Sequence, residues 1–318
     1  MKTYVAVLLM MLTLLVADQG QLDAQGRGRG RGRGNQAPTI RQIVSVDRSG
    51  NVQGTVGPRM SSILDPSISP DGYRVAVRGR QEQGEQDHLY VLEGGSARRL
   101  TSNVGNERHM IWSPDGARIA YSLSLQGGVS NLYVRAGDGS GGDTPIIESE
   151  GMHKWYPSWS PDARTVVFHT NNPNTQARDI WSVNVASGET TVLVGDDGIQ
   201  ALARTSRDGR FVAYQSDQDG TMEIYVTTLQ ASDSRWRVST NGGTWPKWSD
   251  EELFYWEGNS LMAVEYSADG GFTSGTPRRL FTGEQVGMGA NNMMTSYNPE
   301  YDVNAAGTRF VVTQRLEN

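Results

Sequence analysis

Ser69-Pro70-Asp71-Gly72 is the stretch that decides the fold, because it returns along the chain at a nearly constant interval. The later copies, some of them worn, are Ser113-Pro114-Asp115-Gly116, Ser160-Pro161-Asp162-Ala163, Ser206-Arg207-Asp208-Gly209, Ser249-Asp250-Glu251 and Asn304-Ala305-Ala306-Gly307. The steps between copies are 44, 47, 46, 43 and 55 residues. A period of this length is typical of propeller blades, and six copies predict six blades.

Each copy predicts a corner between two strands. Serine, proline, aspartate and glycine fill the four positions of a type I turn in the order that this turn prefers. After the first corner, Val75 and Val77 recur with the period of two that a strand requires. Leu89-Tyr90-Val91 indicates a third strand, and residues 98–101 a fourth whose arginines suit an exposed sheet edge. One repeat therefore predicts one four-stranded blade.

The two ends of the chain complete each other. Residues 301–314 supply only the first two strands of a blade, whereas residues 42–46 and 52–56 resemble a third and a fourth strand without partners. Pairing both ends in one blade would remove two exposed strand edges. We therefore predict an all-β, six-bladed β-propeller over residues 40–318, closed by strands from both termini.

The first 39 residues carry no repeat. Lys2 followed by an apolar run of thirteen residues, 5–17, predicts a secretory signal peptide over residues 1–24, with a retained membrane anchor as the alternative. Four arginines alternate with glycine at residues 27–34, so residues 25–39 are expected to be a flexible linker. The linker is interpreted as a solvated tether, or alternatively as an electrostatic handle for an anionic partner. We expect a periplasmic or secreted protein without stable membrane insertion once the signal is removed.

Charge argues against a nucleic-acid partner. The whole chain carries a formal charge of −6, and without the signal and the four linker arginines 24 basic and 33 acidic residues remain. An acidic surface repels phosphate backbones, so no nucleic acid is expected to bind. The sequence contains no cysteine, which excludes disulfides and lipoprotein attachment. We expect a monomer.

The repeat resembles a known family. The Trp112-Ser-Pro-Asp-Gly corner and the strand Leu132-Tyr133-Val134 are similar to the WD40-like (PD40) repeat of the TolB family, over roughly residues 40–316. The resemblance implies a six-bladed propeller that binds other proteins in the cell envelope. It supplies no catalytic residues, and the additional N-terminal α/β domain of TolB is not expected here. Some relatives of such propellers carry a hydrolase domain of the prolyl oligopeptidase type.

Catalytic motifs are absent from the sequence. It has no Gly-x-Ser-x-Gly elbow and no Walker or His-Glu-x-x-His pattern, so we expect a protein without enzymatic activity or cofactor. His109 and His153 lie before the corners at Ser113 and Ser160, where a metal could be held. The alternative is therefore a metal-dependent enzyme, of lyase or hydrolase type, acting on an acidic carbohydrate at the channel mouth.

A binding surface is expected where loops enter the innermost strands and converge on one mouth of the central channel. Arginine and aromatic residues of the kind that protein interfaces use are placed there, namely Arg108, His109, His153, Trp155, Tyr156, Arg204, Trp245 and Lys247. Met288, Met293 and Met294 lie in an insertion expected to form an adaptable contact, a soft copper site or an ordinary loop. The tryptophans could instead fill gaps between blades.

The leading hypothesis is an exported propeller that binds a protein or peptide partner in the envelope through this mouth. A small-ligand sensor module is the third possibility. The Ser-Pro-Asp-Gly corners are expected to be structural and to face away from the binding mouth.

Overall fold

The computed structural model describes residues 40–102, 105–172, 177–288 and 299–316. The predicted signal peptide at residues 1–24 and the predicted linker at residues 25–39 lie outside these ranges, as do Met293 and Met294. The described residues form 25 strands and no helix. None of them forms a helix of the length and hydrophobicity needed to cross a membrane.

The strands assemble into six antiparallel sheets, which confirms the predicted all-β, six-bladed architecture. The closing blade consists of β1 (Ile40–Asp47), β2 (Val52–Met60), β24 (Tyr301–Val303) and β25 (Arg309–Leu316). Blade 1 consists of β3 (Ser62–Ile68), β4 (Val75–Arg80), β5 (His88–Glu93) and β6 (Ser96–Arg99), blade 2 of β7 (Asn106–Trp112), β8 (Arg118–Ser124), β9 (Asn131–Ala136) and β10 (Thr144–Ile147), and blade 3 of β11 (His153–Trp159), β12 (Thr165–Asn171), β13 (Ile180–Asn184) and β14 (Thr190–Val194). Blade 4 consists of β15 (Gln200–Thr205), β16 (Phe211–Ser216), β17 (Glu223–Thr228) and β18 (Trp236–Arg237), and blade 5 of β19 (Thr244–Trp248), β20 (Glu252–Glu257), β21 (Ser260–Ser267), β22 (Thr273–Ser274) and β23 (Arg278–Thr282).

Both termini build the closing blade, as predicted. Its strand order is β2-β1-β25-β24, with β24 innermost. β1 pairs with β25 in an unbroken register that runs from Ile40 opposite Leu316 to Asp47 opposite Arg309. The guanidinium of Arg309 also donates to the hydroxyl of Ser45 at 2.9 Å. The ring is therefore closed by hydrogen bonds between strands about 260 residues apart in the chain.

Side-chain hydrogen bonds fix each corner between the first and second strands of a blade. In blade 1 the Ser69 hydroxyl donates to a carboxylate oxygen of Asp71 and accepts from the backbone N–H of Arg74 at 3.0 Å. Gly72 closes the turn by donating to the Ser69 carbonyl at 2.8 Å, with φ at +78°. Blades 2, 3 and 4 repeat the serine–aspartate bond. The sequence Ser-x-Asp is thus required by the turn itself.

Tryptophan before the corner joins neighbouring blades. The indole N–H of Trp112 donates to the carbonyl of Ser67 in blade 1 at 3.1 Å. Trp248 of blade 5 does the same toward Arg204 of blade 4 at 2.8 Å. Both indoles are buried, so each hydrogen bond satisfies a group that water cannot reach. At these two corners the preceding tryptophan therefore forms a hydrogen bond to the neighbouring blade.

Candidate functional site

A bulge interrupts the innermost strand of five blades at the same point, four residues before the corner. The residue there has a left-handed backbone with φ between 53° and 59° although none is glycine; these residues are Asp65, His109, Tyr156, Leu202 and Trp245. The pairing with the second strand shifts at each bulge, for example between Arg108 and Ile111 in blade 2. Left-handed backbone costs a non-glycine residue about 1–2 kcal/mol, so the surrounding packing stabilises it. The bulge also resets the alternation of side chains along the strand.

The mouth residues predicted from the sequence lie in strands and not in the loops that enter them. Arg108 and His109 are in β7, His153, Trp155 and Tyr156 in β11, Arg204 in β15, and Trp245 and Lys247 in β19. The predicted loop position is wrong because each innermost strand begins on the far side of its bulge, where the alternating pattern is already broken. Because the bulge breaks the alternation of apolar and polar residues, the period-two pattern does not reveal where the strand begins.

His109 and Tyr156 form part of a buried stack. Their rings lie 3.6 Å apart, and Tyr156 stacks in turn on His169 of β12 at 5.3 Å. Burial, followed by the positive charge of Arg78, holds the pKa of His109 well below its usual value. Burial does the same to the pKa of His169. Both imidazoles are therefore neutral near pH 7, and the stack is part of the channel wall.

Two other predicted contacts lie in the core. Trp245 is buried, and its carbonyl accepts a hydrogen bond from the Tyr301 hydroxyl at 2.6 Å. Met288 is also buried, in the same hydrophobic cluster as Phe281 and Val286. The prediction that these two side chains form a binding surface is wrong, since apolar residues of this size gain more from packing between blades.

The residues before the bulges in blades 2 and 3 form a half-buried group, here called the opposite mouth: Arg108, His153 and Trp155. His153 stacks on Trp155 at 5.1 Å, and its Nδ1 accepts a hydrogen bond from the backbone N–H of Ser130 at 3.1 Å. In the described part of the chain, no three histidine, aspartate or glutamate side chains converge as metal ligands would. The metal-dependent alternative therefore gains no support from this geometry.

A cavity of about 210 Å³ opens on the face that carries the corners. Its floor is a ring of six residues, one from each blade, each two positions before the first residue of a corner: Ser67, Ile111, Ser158, Arg204, Lys247 and Asp302. Its rim includes the second residues of five corners: Pro70, Pro114, Pro161, Arg207 and Ala305. We call this cavity the axial funnel and the surface around it the corner face. The corners were predicted to face away from the binding surface, but they line this cavity because the first strand of every blade ends at the axis.

The charged half of the floor contains one buried ion pair. Lys247 Nζ lies 2.9 Å from a carboxylate oxygen of Asp302, whose other oxygen accepts from the backbone N–H of Ile68 at 2.7 Å. Burial lowers the pKa of Lys247, and Asp302 opposes that shift. Deeper in the channel, Asp65 lies 3.6 Å from the guanidinium of Arg78. Each of these two carboxylates therefore has one cation within 4 Å.

Arg204 is bonded differently. Its side chain is buried, with the residue 8% exposed, and one terminal nitrogen donates to the Ala203 carbonyl at 2.9 Å. The guanidinium lies 5.8 Å from the centre of the Tyr156 ring. Nε has no hydrogen-bond partner among the described residues, and none of their carboxylates forms an ion pair with this arginine. Burial lowers the pKa of Arg204, and the charges of Asp302 and Asp65 oppose that shift without forming an ion pair.

Comparisons with known proteins agree with this architecture. Residues 42–177 match the TolB beta propeller domain, PD40. An uncharacterized protein of Agrobacterium fabrum is 28% identical over 213 residues, which cover 64% of this chain and 66% of that protein. The Tol-Pal system protein TolB of Francisella tularensis is 26% identical over 196 residues, covering 59% of this chain and 44% of TolB. A solved structure of a TolB candidate from Agrobacterium tumefaciens gives a TM-score of 0.69 at 20% identity, covering 88% of this chain and 99% of that one.

The fold and the ring of floor residues define a six-bladed β-propeller with an axial cavity. The match of residues 42–177 to PD40 agrees with the resemblance drawn from the repeat, and the solved neighbour has the same fold. The chain spans about two thirds of the A. fabrum relative and less than half of the Francisella TolB.

Sequence reasoning found Arg204 and Lys247 but missed the other four floor residues. Their signal was available, because all six lie at the same offset from a recognisable corner. Ser67, Ile111 and Ser158 carry no charge and drew no attention individually, whereas aligning the repeats places them in one ring.

Proposed function

We propose that this chain is an exported, non-enzymatic β-propeller that binds a protein or peptide partner in the cell envelope, and that the partner enters the axial funnel. The observation that carries the proposal is the funnel itself, a cavity to which all six blades contribute a floor residue. Ligand sites are typically concave and contain a few convergent polar groups. The TolB relative belongs by name to the Tol-Pal system, which supports a partner in the envelope.

The corner face suits a peptide. Three prolines stiffen its rim, so little conformational entropy is lost when a partner binds. Tyr73, directly after the first corner, is 80% exposed, which is more than Val52, Leu125 or Val192. Tyr73 follows Gly72, which lines the funnel, and an exposed tyrosine near a pocket is a typical anchor for a protein partner. The protein is expected to act as a monomer, since one copy contains the whole funnel.

Peptide selection on the purified propeller tests this proposal. Peptides enriched from a random display library would be measured by fluorescence anisotropy against the wild type and against two variants. Ile111→Trp fills the funnel floor, whereas Trp155→Ala alters the opposite mouth. We expect Ile111→Trp to weaken binding at least tenfold and Trp155→Ala to change it less than twofold.

Melting temperatures within a few degrees of the wild type would show that both variants are folded. The reverse order of effects would transfer the site to the opposite mouth. A library that yields no peptide enriched over an unrelated propeller would overturn the proposed function.

A further inference from the structure

We propose that the axial funnel recognises a carboxylate group of the bound peptide and that Arg204 is the residue that binds it. This inference rests on the proposed function, because it names the chemical group that the same funnel selects. The argument depends on how the charges of the floor are already paired.

The acidic groups near the floor are committed to other partners. Asp302 accepts from Lys247 and from the Ile68 backbone, at 2.9 Å and 2.7 Å. Asp65 lies beside Arg78 and accepts from the backbone N–H of His109 at 3.4 Å. Neither carboxylate forms an ion pair with Arg204, and both attract it only from a longer distance.

Arg204 therefore supplies the unmatched charge. A guanidinium has five N–H donors in a planar fork, and only its bond to the Ala203 carbonyl is made within the described residues. A buried cation left with unsatisfied donors is costly unless a ligand completes it. A carboxylate matches the fork with two parallel hydrogen bonds, and its charge cancels that of the arginine.

The rest of the floor leaves room for such a group. Across the ring from the charged residues lie Ser67, Ile111 and Ser158, which are small or apolar. A volume of about 210 Å³ is below the roughly 300–1,000 Å³ of sites for drug-sized ligands. The funnel is therefore sized for one side chain or one chain end. Both a C-terminal carboxylate and an aspartate or glutamate side chain would fit this description.

Four pools of random hexapeptides, each labelled with an uncharged fluorophore that has no carboxyl group, separate these sources. Two pools contain no acidic residue and end in a free acid or an amide, and two end in an amide and contain one glutamate or one glutamine. At matched ionic strength we expect a carboxylate pool to bind the wild type at least tenfold more tightly than its neutral counterpart. The pair that shows this preference identifies a chain end or a side chain as the source.

Arg210 provides a matched control for Arg204. It lies outside the lining of the axial funnel, six residues later in blade 4, and its guanidinium is paired with Asp208 at 2.8 Å. Arg204→Met should abolish the preference for carboxylate, whereas Arg210→Met, which removes the same charge, should retain it. Arg204→Lys keeps the charge without the planar fork and should keep a preference reduced several-fold, which also covers the case in which Arg204→Met fails to fold.

Equal binding of acidic and neutral pools to the wild type would overturn this inference and leave the proposed function standing. A preference that persists in folded Arg204→Met would refute the assignment to Arg204. If no pool binds, both the inference and the proposed function fail.

Discussion

Replacing Ile43 by alanine tests whether β1 is an integral part of the closed ring. Ile43 is fully buried, in a cluster that joins the closing blade to blade 1 through Ile63, Val77 and Val311. The change removes three carbon atoms, worth about 2.4 kcal/mol of transfer free energy at about 0.8 kcal/mol each. The cavity that remains adds to this, so we expect a loss of about 3–4 kcal/mol in the free energy of unfolding. A loss of this size from one terminal strand requires the strand to unfold with the rest.

Urea unfolding followed by tryptophan fluorescence measures this loss. The internal reference is Ile119→Ala, a fully buried isoleucine in blade 2, whose four strands are consecutive in the chain. The control is Val52→Ala in β2, where the side chain is 49% exposed and the expected effect is within about 0.5 kcal/mol. Ile43→Ala should match Ile119→Ala in one cooperative transition. An effect as small as that of Val52→Ala, or a separate early transition, would refute closure by β1.

Three further predictions concern single buried or strained groups. Burial raises the pKa of Glu107 to about 7 from 4.5, so the native state binds a proton more strongly than the unfolded chain between these values. The free energy of unfolding should therefore fall by up to about 3 kcal/mol as pH rises from 4.5 to 7. In urea titrations, Glu107→Gln should flatten this dependence on pH, whereas Glu265→Gln, at an exposed position, should leave it unchanged. The same pH dependence in the wild type and both variants would contradict this prediction. Ala163→Gly relieves a corner residue held at φ +56° and should raise the free energy of unfolding by up to about 1 kcal/mol; a loss of stability would contradict this. Trp112→Phe leaves a buried carbonyl of the preceding blade without its donor and should lower the free energy of unfolding by about 1–3 kcal/mol, measured by thermal unfolding. Trp236→Phe, at a half-buried site, should cost less. The reverse ranking would contradict the role of the indole N–H.

Most of the fold follows from the sequence because the repeat is spelled in residues that the backbone requires. Ser69 and Asp71 appear where the turn needs their side chains, and Gly72 where φ is positive. The incomplete last repeat and the unpartnered first strands then leave one arrangement that pairs every edge. Turn geometry and strand pairing within a repeat depend on residues close together in the chain, so they can be predicted from the sequence.

The positions and partners of the candidate site residues were harder to predict from the sequence than the fold. His109 and Tyr156 were expected at a mouth but are buried in a stack, since a left-handed bulge resets the side-chain alternation and leaves no signature in residue type. Trp245 is buried in the core, and its residue type gave no warning of this because tryptophan is common both in cores and at interfaces. Arg204 was found by its type, but its missing partner depends on how Asp302 and Asp65 are paired, which only the three-dimensional arrangement determines.

Site-specific photo-crosslinking from the two mouths tests most directly whether partners enter the axial funnel. A photoreactive phenylalanine analogue replaces Tyr73 on the corner face or Leu125, which is 49% exposed and follows β8 at the end remote from the corners. With the carboxylate-containing hexapeptide pools as probe, adducts should form from position 73, decrease in Arg204→Met, and stay at background from position 125. Adducts from position 125 without adducts from position 73 would contradict the account.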